Sequence, residues 1–286
     1  ATADNASHAR TLYVPLRFWF NRNPGLALPL IALQYHEVKI SVELEDANKL
    51  VRNNGTAISS VKSGNDGSTT NLEVTSGSLW VDYIYLDTDE RRRFAQQSHE
   101  YLIEQLQRQN ETGDTSMKLN FNHPVKELIW TARQGNTPTT RGQYGVNGTG
   151  VTADGLNPVA SATLKLNGHE RFATQQGPYF NLVQTRCHTS TPSQGINVYS
   201  FALKPEDHQP SGTCNFSRID NAQLVLRLRD NTGTTNGNAF GAGVVAGAAG
   251  TTNPNGVSGS NTVKVYAVNY NVLRIMSGMG GLAYSN

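Results

Sequence analysis

The sequence predicts an all-β protein, a double jelly roll of two β-sandwiches in tandem with the first one incomplete. Three observations carry this. Apolar and polar residues alternate in many short runs. Long stretches rich in Asn, Thr, Ser and Gly, a composition that favours turns, separate those runs. Helical composition is confined to a short segment near residue 90. Many short strands, long loops and little helix are what a sandwich or jelly roll requires.

The elements follow in order. Val38, Ile40, Val42 and Leu44 are apolar and Lys39, Ser41, Glu43 and Glu45 polar, which predicts a strand with one buried face. Residues 79–86 read as a strand buried on both faces. Residues 128–130, 162–166, 198–203, 224–228, 263–268 and 270–275 continue the series. Turns are expected at Asn167-Gly168, Pro205-Glu206-Asp207 and Asn231-Thr232-Gly233. Residues 53–78, 134–157 and 233–261 read as long loops, the last with a low-complexity Gly/Ala run.

The interruption is Asp89-Glu90-Arg91-Arg92-Arg93-Phe94-Ala95. It reads as a short helix with acidic residues at its start, where they suit the helix dipole. Residues 101–106 either extend it or open a new strand. A boundary placed here divides the chain into 1–88, the C-terminal part of the first jelly roll, 89–97, a linker with a short helix, and 98–286, the second jelly roll. Three or four strands before Asp87 are too few for a complete first sandwich.

Bulk properties narrow the function. The chain has 286 residues and a formal charge of +2, which argues against a broad basic face for nucleic acid. Cys187 and Cys214 are its two cysteines. They read as partly buried free thiols, in keeping with a reducing cytoplasm. No apolar run approaches the ~20 residues of a membrane helix. The first residues lack the basic start and apolar stretch of a secretory signal. Without an initiator Met, the chain reads as a fragment of a longer protein.

No catalytic, cofactor-binding or metal-binding set stands out. The histidines (8, 36, 99, 123, 169, 188 and 208) show no HxH, HxxxH or HExxH spacing, so the metal site of a cupin-like jelly roll is not indicated. His36 reads as a hydrogen-bonded core residue. His36-Glu37 and His99-Glu100 are strand neighbours that point to opposite faces, which disfavours general acid–base work. No serine elbow is present, and Gly278-Met279-Gly280-Gly281 lacks the GK[ST] of a phosphate loop. It reads as a flexible or tightly turned tail anchored by Leu282 and Tyr284. Arg91-Arg92-Arg93 reads as a solvated linker paired with Asp87, Asp89 and Glu90. Among the Asn-x-Ser/Thr triplets, Asn54 and Asn147 lie in expected loops and are weak candidates for glycosylation.

Longer stretches carry a resemblance. Leu12-Tyr13-Val14-Pro15-Leu16-Arg17-Phe18-Trp19-Phe20 leads into Pro29-Leu30-Ile31-Ala32-Leu33-Gln34-Tyr35-His36. Further on come Trp80-Val81-Asp82-Tyr83-Ile84-Tyr85, Leu166-Asn167-Gly168-His169-Glu170-Arg171-Phe172, Gly212-Thr213-Cys214-Asn215-Phe216-Ser217-Arg218-Ile219-Asp220 and the C-terminal Asn269-Tyr270-Asn271-Val272-Leu273-Arg274-Ile275-Met276-Ser277-Gly278-Met279-Gly280-Gly281. In order and over nearly the whole chain, these resemble the major capsid protein of nucleocytoplasmic large DNA viruses, nearest to that of algal viruses of the phycodnavirus or chlorovirus type. The resemblance implies a structural, non-enzymatic protein without cofactors. It implies homotrimers of pseudo-hexagonal outline that tile an icosahedral shell of the virion and are assembled in the host cytoplasm. The implied partners are copies of itself and minor capsid proteins, with an inner membrane only indirectly beneath and no direct nucleic acid. It also implies surface glycans. The competing reading is a carbohydrate-binding jelly-roll module, which would display aromatic side chains on an exposed sheet face or loop tip.

Overall fold

The computed structural model describes residues 11–44, 52–53, 56–57, 60–63, 68–71, 76–112, 116–133, 157–192, 195–228 and 262–284. The chain divides into two compact units: Ala1–Tyr101 with Leu273–Gly281, and Leu102–Val272 with Leu282–Asn286.

The second unit holds the sandwich. Its strands are β5 (His99–Thr112), β6 (Ser116–Lys118), β7 (Pro124–Arg133), β8 (Val159–Leu166), β9 (His169–Glu170), β10 (Gln175–Gln176), β11 (Ile196–Ser200), β12 (Cys214–Asn215), β13 (Ala222–Leu228), β14 (Thr262–Met276) and β15 (Met279–Leu282), with β5, β14 and β15 also running into the first unit. One antiparallel sheet has the order β10-β8-β13-β6, with β9 on β8. The other has the order β11-β7-β14-β15, with β12 on β7 and β5 on β14.

Alternation puts one row of each strand inside. Leu224 pairs with Leu164 and Leu226 with Ala162 in the first sheet. Val265 pairs with Trp130 and Ala267 with Leu128 in the second. These side chains, with Met117, Phe121, Phe180 and Phe216, form a single buried cluster. Its aromatic centre is Trp130 edge-on to Phe180, ring centroids 5.0 Å apart, the geometry favoured by ring quadrupoles.

The Asn167-Gly168 turn is present, with φ of 50° and 81°, the two left-handed positions of a type I′ hairpin. Asn167 Oδ1 also accepts from the amides of Asp220 and Asn221. Residues 101–106 belong to β5. Residues 179–188 are helical, a π turn over Tyr179–Val183 leading into a short α-helix, Gln184–His188. The Asn231 turn and the loops 134–156 and 233–261 lie outside the described residues.

In the first unit, helix α1 spans Thr88–Gln96. Asp87 caps it by accepting from the Thr88 amide at 2.7 Å. Arg92 pairs with Asp89 at 4.0 Å and Arg93 reaches Gln97, with both arginines exposed. The 53–78 stretch, read as a loop, contains short antiparallel pairs: β1 (Arg52–Asn53) with β2 (Thr56–Ala57), and β3 (Ser60–Ser63) with β4 (Ser68–Asn71).

Three expectations are overturned in this unit. Residues 38–44 form no strand, and their alternate apolar side chains are exposed. Residues 79–86 form no strand either; Trp80 is 87% and Tyr85 91% exposed. His36 is exposed. The reason is common to all three. An apolar segment becomes a buried strand only beside a hydrogen-bonding neighbour and opposite an apolar surface, and the described residues of this unit supply neither.

Candidate functional site

No group of three or more His, Cys, Asp or Glu side chains converges in metal-binding geometry among the described residues. The histidines are dispersed. His99 Nε2 contacts the Phe94 carbonyl at 2.8 Å, and His188 Nδ1 the Leu203 carbonyl at 2.9 Å. His123 is buried with a φ of 66°. Cys187 is exposed rather than partly buried, because it faces outward on the last turn of its helix, while Cys214 is half-buried. Burial pushes the Cys214 thiol up, opposed in part by Arg171, which keeps it in the less nucleophilic thiol form. Asn54 and Asn147 lie outside the described residues.

The polar groups that do converge are internal to the sandwich. Apolar positions of β7 fall at 125, then at 128, 130 and 132, so the period of two slips between Val125 and Leu128. The pairing shows why: Val268 faces Glu127, Asn269 faces Val125, and Lys126 is the extra residue of a β-bulge. The bulge keeps both apolar rows inside. It also turns Lys126 towards Glu104 of β5, with Nζ donating to Oε1 at 2.5 Å. Their side chains are 2% and 13% exposed. The ammonium lies 5.3 Å from the ring centre of Tyr270, and the Lys126 carbonyl accepts from the amides of Phe201 and Ala202. Burial pushes the Tyr270 hydroxyl up, and the charges of Glu104 and Glu127 add to this.

A second device is a row of glutamines on β5. Gln105 accepts from Asn271 Nδ2 at 3.0 Å, Gln107 from the Asn122 amide at 2.9 Å and Gln109 from the Asn120 amide at 3.0 Å. Gln109 also donates to the Lys118 carbonyl. Side-chain amides thus satisfy backbone groups of the 118–122 segment that no strand pairs. A third is the buried pair Asn157–Asn197, tied at 2.5 Å. These groups are engaged with one another, so they fix geometry and leave no aligned nucleophile and base.

Asn269 differs. It is fully buried, and neither its Oδ1 nor its Nδ2 has a hydrogen-bond partner among the described residues. A buried amide in that state costs about 1–3 kcal/mol. Asn269→Leu, similar in size, is therefore expected to raise the urea midpoint of the second unit. A lowered midpoint would refute this account of the side chain.

Outside the sandwich the feature that stands out is apolar exposure in the first unit: residues 12–14, 38–44 and 79–85 present Leu, Val, Ile, Tyr and Trp side chains to solvent. Large apolar side chains exposed in such numbers point to surface that is covered in a larger assembly or a longer chain. The stretches that carry the capsid resemblance include residues 12–14 and 80–85.

Comparison with known proteins decides the family. Residues 90–281 match the large eukaryotic DNA virus major capsid protein family, and residues 1–87 match the major capsid protein N-terminus. This chain belongs to the large eukaryotic DNA virus major capsid protein family. The major capsid protein of Pyramimonas orientalis virus is 48% identical, over 97% of this chain and 62% of its own length. That of Paramecium bursaria Chlorella virus 1 is 46% identical, over 97% of this chain and 67% of its own length. The chain thus spans about two thirds of the curated relatives it matches. Among solved structures, a chain of the PBCV-1 virus capsid quasi-atomic model superposes with a TM-score of 0.68 at 42% identity, covering 96% of this chain and 70% of that one. The likeness is to double jelly-roll capsid proteins, as the strand pattern predicted. A capsid protein family is a structural one, in line with the reading of a chain without catalytic residues.

Lys126, Glu104 and Asn269 escaped the sequence reading. The one available signal was the slipped period between Val125 and Leu128.

Proposed function

We propose that this chain builds an icosahedral virus shell, as a trimer of pseudo-hexagonal outline that packs against its own copies. The observation that carries the reading is the likeness, over nearly the whole chain, to a protein inside an assembled capsid. In this reading residues 1–88 are the C-terminal part of a first jelly roll, 89–97 the linker and 98–286 the second jelly roll. The exposed apolar segments of the first unit become buried when that jelly roll is complete. Loops and linker then form obligate contacts, which typically bury more than ~2,000 Å². The further partners are minor capsid proteins, with the inner membrane only indirectly beneath, no direct nucleic acid, and assembly in the host cytoplasm. Asn54 and Asn147 are candidate carriers of surface glycan.

Light scattering on the protein at full length, expressed in the cytoplasm, tests the central claim. The expected mass is that of a trimer. A well-folded monomer at high concentration would overturn it and turn attention to sugar binding.

A further inference from the structure

The glycine cluster near the C-terminus has a structural role that the shell reading does not use. Ser277 and Gly278 have φ of 52° and 80° and turn β14 into β15. This hairpin tip belongs to the first unit, with Ala1–Tyr101. It meets the turns around Leu30–Ala32 at close range. The Tyr35 amide donates to the Gly278 carbonyl at 2.9 Å. A Cβ on Gly278 would lie 2.5 Å from Tyr35 Cδ2, and one on Gly280 would lie 3.1 Å from Leu33 Cδ2. Gly281 has nothing within 4 Å. At two of the glycines the side chains of Tyr35 and Leu33 therefore occupy the space a Cβ would need. Arg274 adds an ion pair to Glu100 at 2.7 Å. Leu282 and Tyr284, the expected anchors, are exposed; the glycine backbone makes the attachment instead, because it alone can come this near.

We propose that the hairpin tip, Leu273–Gly281, is a clasp without which the first unit does not fold, so that only chains translated through Gly281 present that unit in its native form. The turn it holds packs in turn against helix α1. Residues 30–96 leave the ribosome well before residues 273–281, and the later segment supplies this contact. The inference holds whatever the chain assembles into.

Hydrogen exchange on the whole chain tests it, with Gly278→Val as the disrupting variant and Gly281→Ala as the control. In Gly278→Val, the Tyr35 amide and the α1 amides of 91–97 are expected to exchange at least about tenfold faster. The β7 and β13 amides should keep their rates, and Gly281→Ala should match the parent. Tyr35→Ala, which leaves the turn's own conformation untouched, is expected to give the same local pattern. The proposal fails if Tyr35 and α1 keep their protection in Gly278→Val and Tyr35→Ala. It also fails if β7 and β13 lose protection to the same extent.

Discussion

Glu104→Gln is expected to destabilise the second unit by about 3–5 kcal/mol, the usual cost of removing one partner from a buried ion pair. The cost arises at Lys126. Its ammonium is 2% exposed, sits on a β-bulge and has Glu104 as its carboxylate at 2.5 Å. A neutral amide accepts a hydrogen bond there but cannot balance the charge. Lys126→Met should cost less, because Glu104 is 13% exposed and keeps a route to water. The double variant Lys126→Met/Glu104→Leu should return to within about 1–2 kcal/mol of the parent, since apolar replacement of a whole buried pair is often neutral. Urea unfolding followed by circular dichroism, run as a double-mutant cycle, gives the coupling directly. A Glu104→Gln midpoint equal to the parent's would remove the pair from any account of what holds β5 to β7.

That pair also shows what a sequence can and cannot reveal here. The strands of the sandwich were legible because each lies between a polar face and a shared core, so that burial follows period two. Val263, Val265 and Ala267 are inside as their alternation says. The Asn167-Gly168 turn was legible because its chemistry is local. Lys126 was not, because its burial depends on a carboxylate 22 residues away in sequence and on a one-residue slip in register. β5 was ambiguous for a related reason. Its alternate Gln105, Gln107 and Gln109 are polar residues on a partly buried row, and their partners, the Asn271 side chain and the backbone amides of Asn122 and Asn120, are ones that no periodicity displays.

The failures at 38–44 and 79–86 are of another kind. Period two states that a segment can be half-buried; it does not supply the neighbour that buries it. Trp80, Tyr83 and Tyr85 have the composition of a strand and the exposure of a surface. Glycines 278 and 280 teach the converse. As a sequence, Gly-Met-Gly-Gly suggests a flexible or a tightly turned tail, and the structure has the tight turn, which brings it close to Tyr35 and Leu33.

Trp130→Ala is expected to cost the second unit about 3–5 kcal/mol, the range for deleting a large buried aromatic side chain. Trp130 is completely buried, pairs with Val265 and Asn197 across two ladders, and stands edge-on to Phe180. Phe180 belongs to the Tyr179–Val183 π turn, so the ring contact joins that helical segment to the sheet. A cavity at 130 would therefore remove both core volume and the support of the π turn. Trp130→Phe should cost much less than Trp130→Ala. It keeps a ring against Phe180 and removes an indole N–H that is buried without a partner among the described residues. Emission gives a second readout, because Trp130 is buried, Trp19 half-buried and Trp80 exposed. In Trp130→Phe the short-wavelength emission should fall, leaving the Trp19 and Trp80 signals, while the unfolding transition persists. Equal losses in the Phe and Ala variants would show that the ring packing against Phe180 contributes nothing beyond its volume.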